Sequence, residues 1–542
     1  MSKPTVHQAI AQALLDHGVD TMFGLMGDGN LFMVDHYVQK LGGTFVPVAH
    51  EASCVLAATG YAQVSGRVGV ATVTHGPALT NCVSALVEAV RSHHAIVLLA
   101  GDTPVSRPEH LQNIDQRELI KTTGAGFEQM RAPETAAQDV ARAFYRAAVE
   151  RRPIVLNMPV DFMWEPAGAP AAPRPVFTTP RGVAQSETLD EAIGMIASAR
   201  RPLILGGGGA RHAREAIVKL ADRLEAPLAC SLRGKGLFHG HPYNIGIFGT
   251  LSTAAAYEVM AQADCIVAFG SSLSFYTTDH GQLMAGKRVV HVDVSPEAIG
   301  GSRPPDAAIV ADAATAAETI LYWLDEAEIP GSGFTRDLDP EALRARPTLS
   351  NRTPEGYVNY EEALTALNDT LPEDRILCTD VGYAMAEAWA RIDVPDTASF
   401  IPNIAFTCVG LGLQTAIGAA KAAPDRTVLL MIGDGGFAMG GMGEFHTIVR
   451  EGLNIVTVIA NDSAYGAEHI QFAARQMDPS MSHLAWPDFS GVTRAMGAPT
   501  ITVNSSETLA EAMSAIDGLK GPLVIELVMK ADDMPAARKL GA

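Results

Sequence analysis

The sequence predicts an α/β protein built from three doubly wound parallel-sheet domains, and three observations carry that prediction. Short β-branched runs alternate with alanine-rich helical runs along the chain, the rhythm of parallel strands covered by helices. Two stretches, residues 166–185 and 328–357, lack both apolar periodicities and read as surface linkers rich in proline. The 542 residues also suit about three domains of ~150 residues each.

The blocks so defined are residues 1–165, 186–327 and 358–542. VGVATVT, AIVLLAG and PIVLNMP supply strands to the first. PLILGGG, DCIVAFG and RVVHVDV supply the second. RILCTD, TVLLMIGDG, NIVTVIAND and PLVIELV supply the third. The opening MSKPTVHQAIAQALLDHGVD reads as an amphipathic helix rather than a signal sequence. Apolar runs stay short of the ~20 residues needed to span a bilayer. These features predict a cytoplasmic protein without membrane association.

Hydrophobic residues make up 47% and charged residues 18%, which suits large buried cores and excludes disorder. The formal net charge of −20 argues against a nucleic-acid binder, since phosphate contacts need clustered Lys and Arg. Six cysteines are scattered without CxxC spacing and read as buried free thiols.

Chemistry concentrates in the segment from Met431 to His469. The order strand, Gly433-Asp434-Gly435-Gly436, helix, strand makes the two strands parallel. Ligands of open α/β sheets sit outside the carboxyl ends of such strands, so Asp434 and Asn461-Asp462 share one edge. Oxygen ligands there suit a hard divalent cation holding phosphates. Two other turns follow strands. Gly206 to Gly209 reads either as a phosphate cradle or as a tight turn, and its GxGxxG fingerprint is incomplete at Arg211. In THGPALTN, His75 and Gly76 either border a cofactor or belong to a capped turn.

With these motifs in order, the chain resembles the thiamine-diphosphate-dependent enzymes of the acetolactate synthase, pyruvate decarboxylase and benzaldehyde lyase group. GDGG through NDSAYG is similar to that family's cofactor motif. HEASCVLAATGYAQVSGRVGVATVTHGPALTN, from His50, is similar to the block with its catalytic glutamate, here Glu51. GKGLFHGHPYNIGIFGT, from Gly234, looks like its middle domain. The resemblance implies a pyrimidine-binding, a central and a diphosphate-binding domain, with thiamine diphosphate and Mg²⁺ as cofactors.

By the same resemblance, the cofactor meets Glu51, His75, Gly76, Val409, Gly433 to Gly436, Tyr465 and Gly466. Val409 would support the bend of the cofactor, with ordinary core packing as the alternative. Asp434, Asp462 and the Ala464 carbonyl are the expected metal ligands. Asn461 is the alternative, because the interval from Asp434 (461 − 434 = 27) is the family's usual one. FAMGGMGEF, however, looks one residue longer than its relatives, which shifts the match to Asp462.

Glu51 is implied to assist loss of the cofactor's C2 proton through the pyrimidine ring. Asp28, in GLMGDGNLFMVD, and Glu468 match two proton-handling acids of the decarboxylases. Asp28 also reads as a helix cap, and Glu468 as a solvated carboxylate. At Leu111-Gln112-Asn113 the chain departs from the decarboxylase histidine pair and carries the glutamine of lyases and synthases. His110 and His93-His94 do not register with that pair.

The function implied is a 2-oxo acid decarboxylase and carboligase, acetolactate-synthase-like, adding a C2-bound enamine to a second carbonyl compound. The alternatives are an acyloin lyase, a decarboxylase releasing an aldehyde, a flavin-linked oxidase, or a non-catalytic paralogue. GSSLSFYTTDHG, from Gly270, departs from the flavin-containing pattern and argues against FAD. The site is expected between subunits of a homodimer, itself paired into a homotetramer. CVLAATGYA and VGLGLQTAIGAA are expected in that interface.

Overall fold

Three six-stranded sheets organise the chain, and every pairing between their strands is parallel. The computed structural model describes residues 3–168, 182–183, 185–301, 303–345 and 353–531. The first sheet contains β1 (Thr21–Gly24), β2 (Thr44–Pro47), β3 (Gly69–Val73), β4 (Ile96–Asp102), β5 (Gly126–Gln129) and β6 (Pro153–Pro159). The second contains β7 (Pro202–Gly206), β8 (Leu228–Cys230), β9 (Asn244–Ile247), β10 (Cys265–Phe269), β11 (Arg288–Asp293) and β12 (Ala307–Val310). The third contains β13 (Ile376–Thr379), β14 (Phe400–Pro402), β15 (Val428–Gly433), β16 (Ile455–Asn461), β17 (Thr500–Val503) and β18 (Leu523–Val528).

Helices cover both faces, so inner strands such as β4 and β15 are buried at every position but the last. Ten of these strands correspond to the apolar runs read from the sequence. The other eight (β1, β2, β5, β8, β9, β12, β14 and β17) have only three or four residues each; of the strands that short, β13 alone lies in an apolar run read from the sequence.

The first sheet runs β2-β1-β3-β4-β6-β5 and the third runs β14-β13-β15-β16-β18-β17. Counted from its own first strand, each has the order 2-1-3-4-6-5, so the outer domains are copies of one topology. The second sheet, β12-β11-β10-β7-β8-β9, winds differently.

The outer domains meet through helix Glu51–Ser65 and helix Gly412–Ala422, joined by backbone-close packing. A Cβ on Gly60 would lie 2.0 Å from the Thr415 carbonyl oxygen, and one on Gly418 would lie 1.8 Å from that of Ala57. Only glycine permits this approach. The finding corrects one expectation: CVLAATGYA and VGLGLQTAIGAA cover each other within one chain and are not free to form a subunit interface. Their small residues do serve close helix packing, but between domains.

A second correction concerns residues 328–345, read as linker. They pack on the central domain, where Phe334 and Leu343 enter its core and Arg336 pairs with Glu225. Residues 346–352 of that stretch, and 169–181 and 184 of the other linker, lie outside the described residues. Among the described residues, no helix is long and apolar enough to cross a membrane. Five of the six cysteines are buried free thiols, while Cys408 is half-buried.

Candidate active site

On the first sheet, β2 ends at Pro47 and the chain turns through His50 into the helix that begins at Glu51. The His50 Nδ1 caps that helix by accepting the Ala52 N–H at 3.2 Å. Glu51 is half-buried, its Oε2 accepting from the Asn81 amide at 2.9 Å, and the Cys82 thiol donates to its carbonyl. Beyond β3, Gly76 adopts φ +58°, and a Cβ there would sit 2.1 Å from the Gln112 carbonyl oxygen. The glycine is therefore required both by its conformation and by the close approach.

His75 is buried at this turn, its Nδ1 3.0 Å from the Thr74 hydroxyl, and the Gln112 side chain lies beside it. Burial, then the His110 ring 5.4 Å away, hold its pKa below the ordinary histidine value, while Asp28 opposes both. The structure thus brings together Asp28, His75, His110 and Gln112. His110 is the member that the sequence reading had set aside. Asp28 is exposed and is not the cap of the following helix, whose N-cap is Asn30. His93 and His94 lie apart from this group, beside Arg233.

On the third sheet, acids stand past three neighbouring strands. Asp380 follows β13 and is fully buried, accepting the Gly410 N–H at 2.9 and 3.1 Å and the Leu411 N–H at 3.2 Å. Burial pushes it up to about 6. Asp434 follows β15, with Oδ1 accepting the Gly435 N–H at 2.6 Å and Oδ2 the Trp486 indole N–H at 3.0 Å. Burial raises it to about 6 as well. Asp462 follows β16 and rises to about 7, from burial first and then from the Asp434 charge. The Asp434 charge acts on Asp462 because the two carboxyls stand just past the ends of the paired strands β15 and β16.

Asn461 behaves otherwise. Its amide donates to Glu526 at 2.8 Å, and its oxygen accepts the Ser463 N–H. The Ala464 N–H returns to Asp462 Oδ1 at 3.1 Å. Between Asp434 and helix Met442–Arg450 the backbone forms a π-helical turn, Phe437–Gly441. A π turn accommodates one additional residue in a helix, which is where the sequence had suggested a one-residue excess.

Tyr465 is partly exposed beside the Trp486 ring and stands over Gly435, where a Cβ would come within 2.8 Å of its ring. Gly466 faces Asp462, with Oδ2 3.2 Å from a Cβ built on it. Val409 is 36% exposed, which excludes ordinary core packing. It is held out by a loop with φ +58° at Thr407 and +89° at Gly410. Glu468 is exposed on the first turn of helix Gly466–Ala474, next to His469, whose Nδ1 lies 3.0 Å from the His483 Nε2.

The sequence reading missed Asp380 and Trp486. Asp380 ends RILCTD, so the rule that found Asp434, an acid just past an apolar strand, would have found it too. Trp486 carries no such signal. In the central domain, a Cβ on Gly207 would meet the Gly270 carbonyl oxygen at 2.1 Å. The N–H groups of Gly207, Gly209 and Ala210 bond to Phe269, Gly270 and Gly207 carbonyls. The glycine run makes a tight backbone junction, and these donors are spent within it.

Comparison with known proteins accords with this division. Residues 4–119 match a model described as thiamine pyrophosphate enzyme, N-terminal TPP binding domain. Residues 189–320 match the central domain, and residues 380–527 the C-terminal TPP binding domain. The chain is 30% identical to a sulfoacetaldehyde acetyltransferase of Alcaligenes xylosoxydans xylosoxydans, over 95% of this chain and 91% of that protein. It is 29% identical to a probable 2-ketoarginine decarboxylase of Pseudomonas aeruginosa, over 96% and 94%. It is also 29% identical to an acetolactate synthase large subunit of Parasynechococcus marenigrum, over 96% and 86%.

Proposed function

Because the chain belongs to the thiamine pyrophosphate enzyme family, we propose that it splits a 2-oxo acid and passes the acyl unit to a second carbonyl compound. The observation that carries this reading is the pair of carboxyls, Asp434 and Asp462, just past the ends of the paired strands β15 and β16 and beside a glycine turn at a helix start.

That arrangement fits a divalent cation and a diphosphate. A cation offsets the repulsion, and the N–H groups of a helix N-terminus suit phosphate oxygens. Asp434, Asp462 and the Ala464 carbonyl would hold Mg²⁺. The engagement of Asn461 with Glu526 and the π turn both support Asp462 over Asn461. Gly433, Gly435 and Gly436 would line the diphosphate, with Tyr465 and Gly466 closing over it. When bound, thiamine diphosphate supplies the nucleophilic carbon and the electron sink for the acyl unit.

The remaining roles belong to this chain's side chains. Glu51 would hold a proton at its carboxyl against the pyrimidine ring, and His75 and Gly76 would border that ring. Val409 would give its bend apolar support. Gln112 would donate from its amide to a substrate oxygen, which orients an acceptor but supplies no general acid. The resulting site favours ligation over aldehyde release.

A second reading, decarboxylation with aldehyde release, rests on Asp28 beside His75 and on the acid Glu468. We assign the working site to a homodimer, paired into a tetramer. Exposed apolar side chains at both halves support this: Met26, Leu111 and Ile114 on one, Val409, Met439 and Tyr465 on the other. The test is a donor–acceptor screen with Mg²⁺ and thiamine diphosphate, products identified by mass spectrometry. Pyruvate, longer 2-oxo acids, acyloins and sulfoacetaldehyde serve as donors. Ligated product from a 2-oxo acid is expected, and turnover of none of the donors would remove the reading.

A further inference from the structure

Two buried carboxyl groups outside the candidate site join the outer domains. Glu444, in helix Met442–Arg450, accepts the Ala49 N–H on both oxygens at 3.1 and 3.0 Å, steadied by the Thr447 hydroxyl at 2.6 Å. Glu88, in helix Val83–Arg91, accepts the Ala405 N–H at 3.1 Å and the Phe406 N–H at 2.6 Å, steadied by the Ser92 hydroxyl at 3.0 Å. Both side chains are almost completely buried.

The two clamps are counterparts under the internal duplication. Ala49 lies between β2 and helix Glu51–Ser65, and Ala405 lies between β14 and helix Gly412–Ala422. Glu88 lies on the helix that leads into β4, and Glu444 on the helix that leads into β16. Each helix follows one half-site's turn, His75-Gly76 or Asp434 to Gly436. Each carboxyl grips the loop leading to a residue of the other half-site. Ala49 stands two residues before Glu51, and Phe406 stands three before Val409.

A buried loop N–H needs an acceptor, and simple satisfaction would allow many. Here both duplicated seams use a glutamate that reaches across domains from the corresponding helix, so its length sets where the loop stands. We propose that Glu444 and Glu88 are reciprocal positioning residues, Glu444 setting the approach to Glu51 and Glu88 the approach to Val409. The functional part of this inference rests on the roles proposed above for Glu51 and Val409. It follows that a change at the Asp434 turn reaches Glu51 of the same chain through one short helix.

Amide hydrogen exchange of the full-length, cofactor-free protein, read by mass spectrometry, tests the clamp apart from activity. Glu444→Ala should speed exchange across residues 47–53 tenfold or more while 403–411 stays unchanged. Glu88→Ala should do the reverse. Glu444→Gln keeps an acceptor oxygen at the same reach and should stay near the unsubstituted protein. Glu444→Asp keeps the acid but falls one methylene short and should behave like alanine. In the loaded enzyme, the alanine and aspartate variants should lose kcat tenfold or more with cofactor affinity nearly unchanged, and glutamine should restore it. Faster exchange throughout the chain, unchanged exchange at 47–53, or an aspartate variant that matches the parent while glutamine fails would overturn the proposal. Local exchange that moves as expected with kcat unaltered would uphold the clamp and overturn the role of Glu51.

Discussion

The first and third domains share one strand order and differ in what stands at their strand ends. In the third, Asp380, Asp434 and Asp462 crowd three adjacent positions, and burial lifts all three above ordinary aspartate values. In the first, the corresponding edge presents a buried histidine held toward its neutral form, one helix-start glutamate and amide side chains. A single scaffold therefore offers one edge that suits a cation and its anion, and another that suits an aromatic base and proton exchange. The sheet supplies positions, while a few residues past each strand supply the chemistry.

The largest difference between the two edges should appear at Glu51. Glu51→Gln keeps size and the contact with Asn81 but removes the exchangeable acid. Activity should fall by about 10²–10⁴-fold, the usual weight of a positioned acid–base group, with the fold and cofactor binding retained. Near-normal exchange of the cofactor's C2 hydrogen for deuterium in the variant would show that the first domain's edge is not the proton-handling one.

On the third domain the expected effect is on binding. Asp434→Ala removes an oxygen from the proposed cation site and should weaken Mg²⁺-dependent cofactor affinity tenfold or more, about 1.4 kcal/mol. Asp462→Ala should follow it closely. Asn461→Ala should cost less, since that amide is committed to Glu526. Isothermal titration calorimetry of the cofactor at fixed Mg²⁺ ranks the three, and it does not depend on the Trp486–Asp434 hydrogen bond that Asp434→Ala removes. An Asn461 variant weaker than the Asp462 variant would return the metal position to Asn461.

A smaller effect separates the two product outcomes. Gln112→Ala should slow ligation about fivefold, the worth of one hydrogen bond of about 1 kcal/mol, or alter its stereochemistry. Asp28→Asn and Glu468→Gln should instead slow aldehyde release more than ligation. Product ratios by chromatography decide between them, and equal losses in all three variants would leave these residues as pocket walls only.

Much of this was legible in the sequence because the informative features are local. Asp434 is announced by an apolar strand and a glycine break, and Glu51 by the block around it. Most of the short strands were hidden, because three or four residues show no period, and β13 was legible only through the apolar run that ends at Asp380. The contact of His110 with His75 was hidden because it depends on how the loop after β4 folds back. The pairing of CVLAATGYA with VGLGLQTAIGAA was mistaken for a subunit contact for a related reason. Small residues announce close packing but not the partner, which here lies more than 300 residues away in the same chain.

The central domain gives the last and smallest test, since its glycine run follows a strand as the Asp434 turn does yet has no open donors at Gly207, Gly209 and Ala210. In Gly207→Ala the new methyl would sit 2.1 Å from the Gly270 carbonyl oxygen, and backbone lines both sides of the contact. The turn after β7 must then shift away from the end of β10, at about 1–3 kcal/mol as for other overpacked sites. The thermal midpoint should drop by a few degrees, measured by calorimetry with and without cofactor. Because no donor for phosphate is lost, cofactor affinity and kcat per folded molecule should remain within about twofold of the parent, where twofold is ~0.4 kcal/mol. A variant with an unchanged midpoint but weakened binding of a nucleotide or of the cofactor would reverse the assignment. The glycine run would then be a ligand cradle, and the central domain would join the outer two in contributing chemistry at its strand ends.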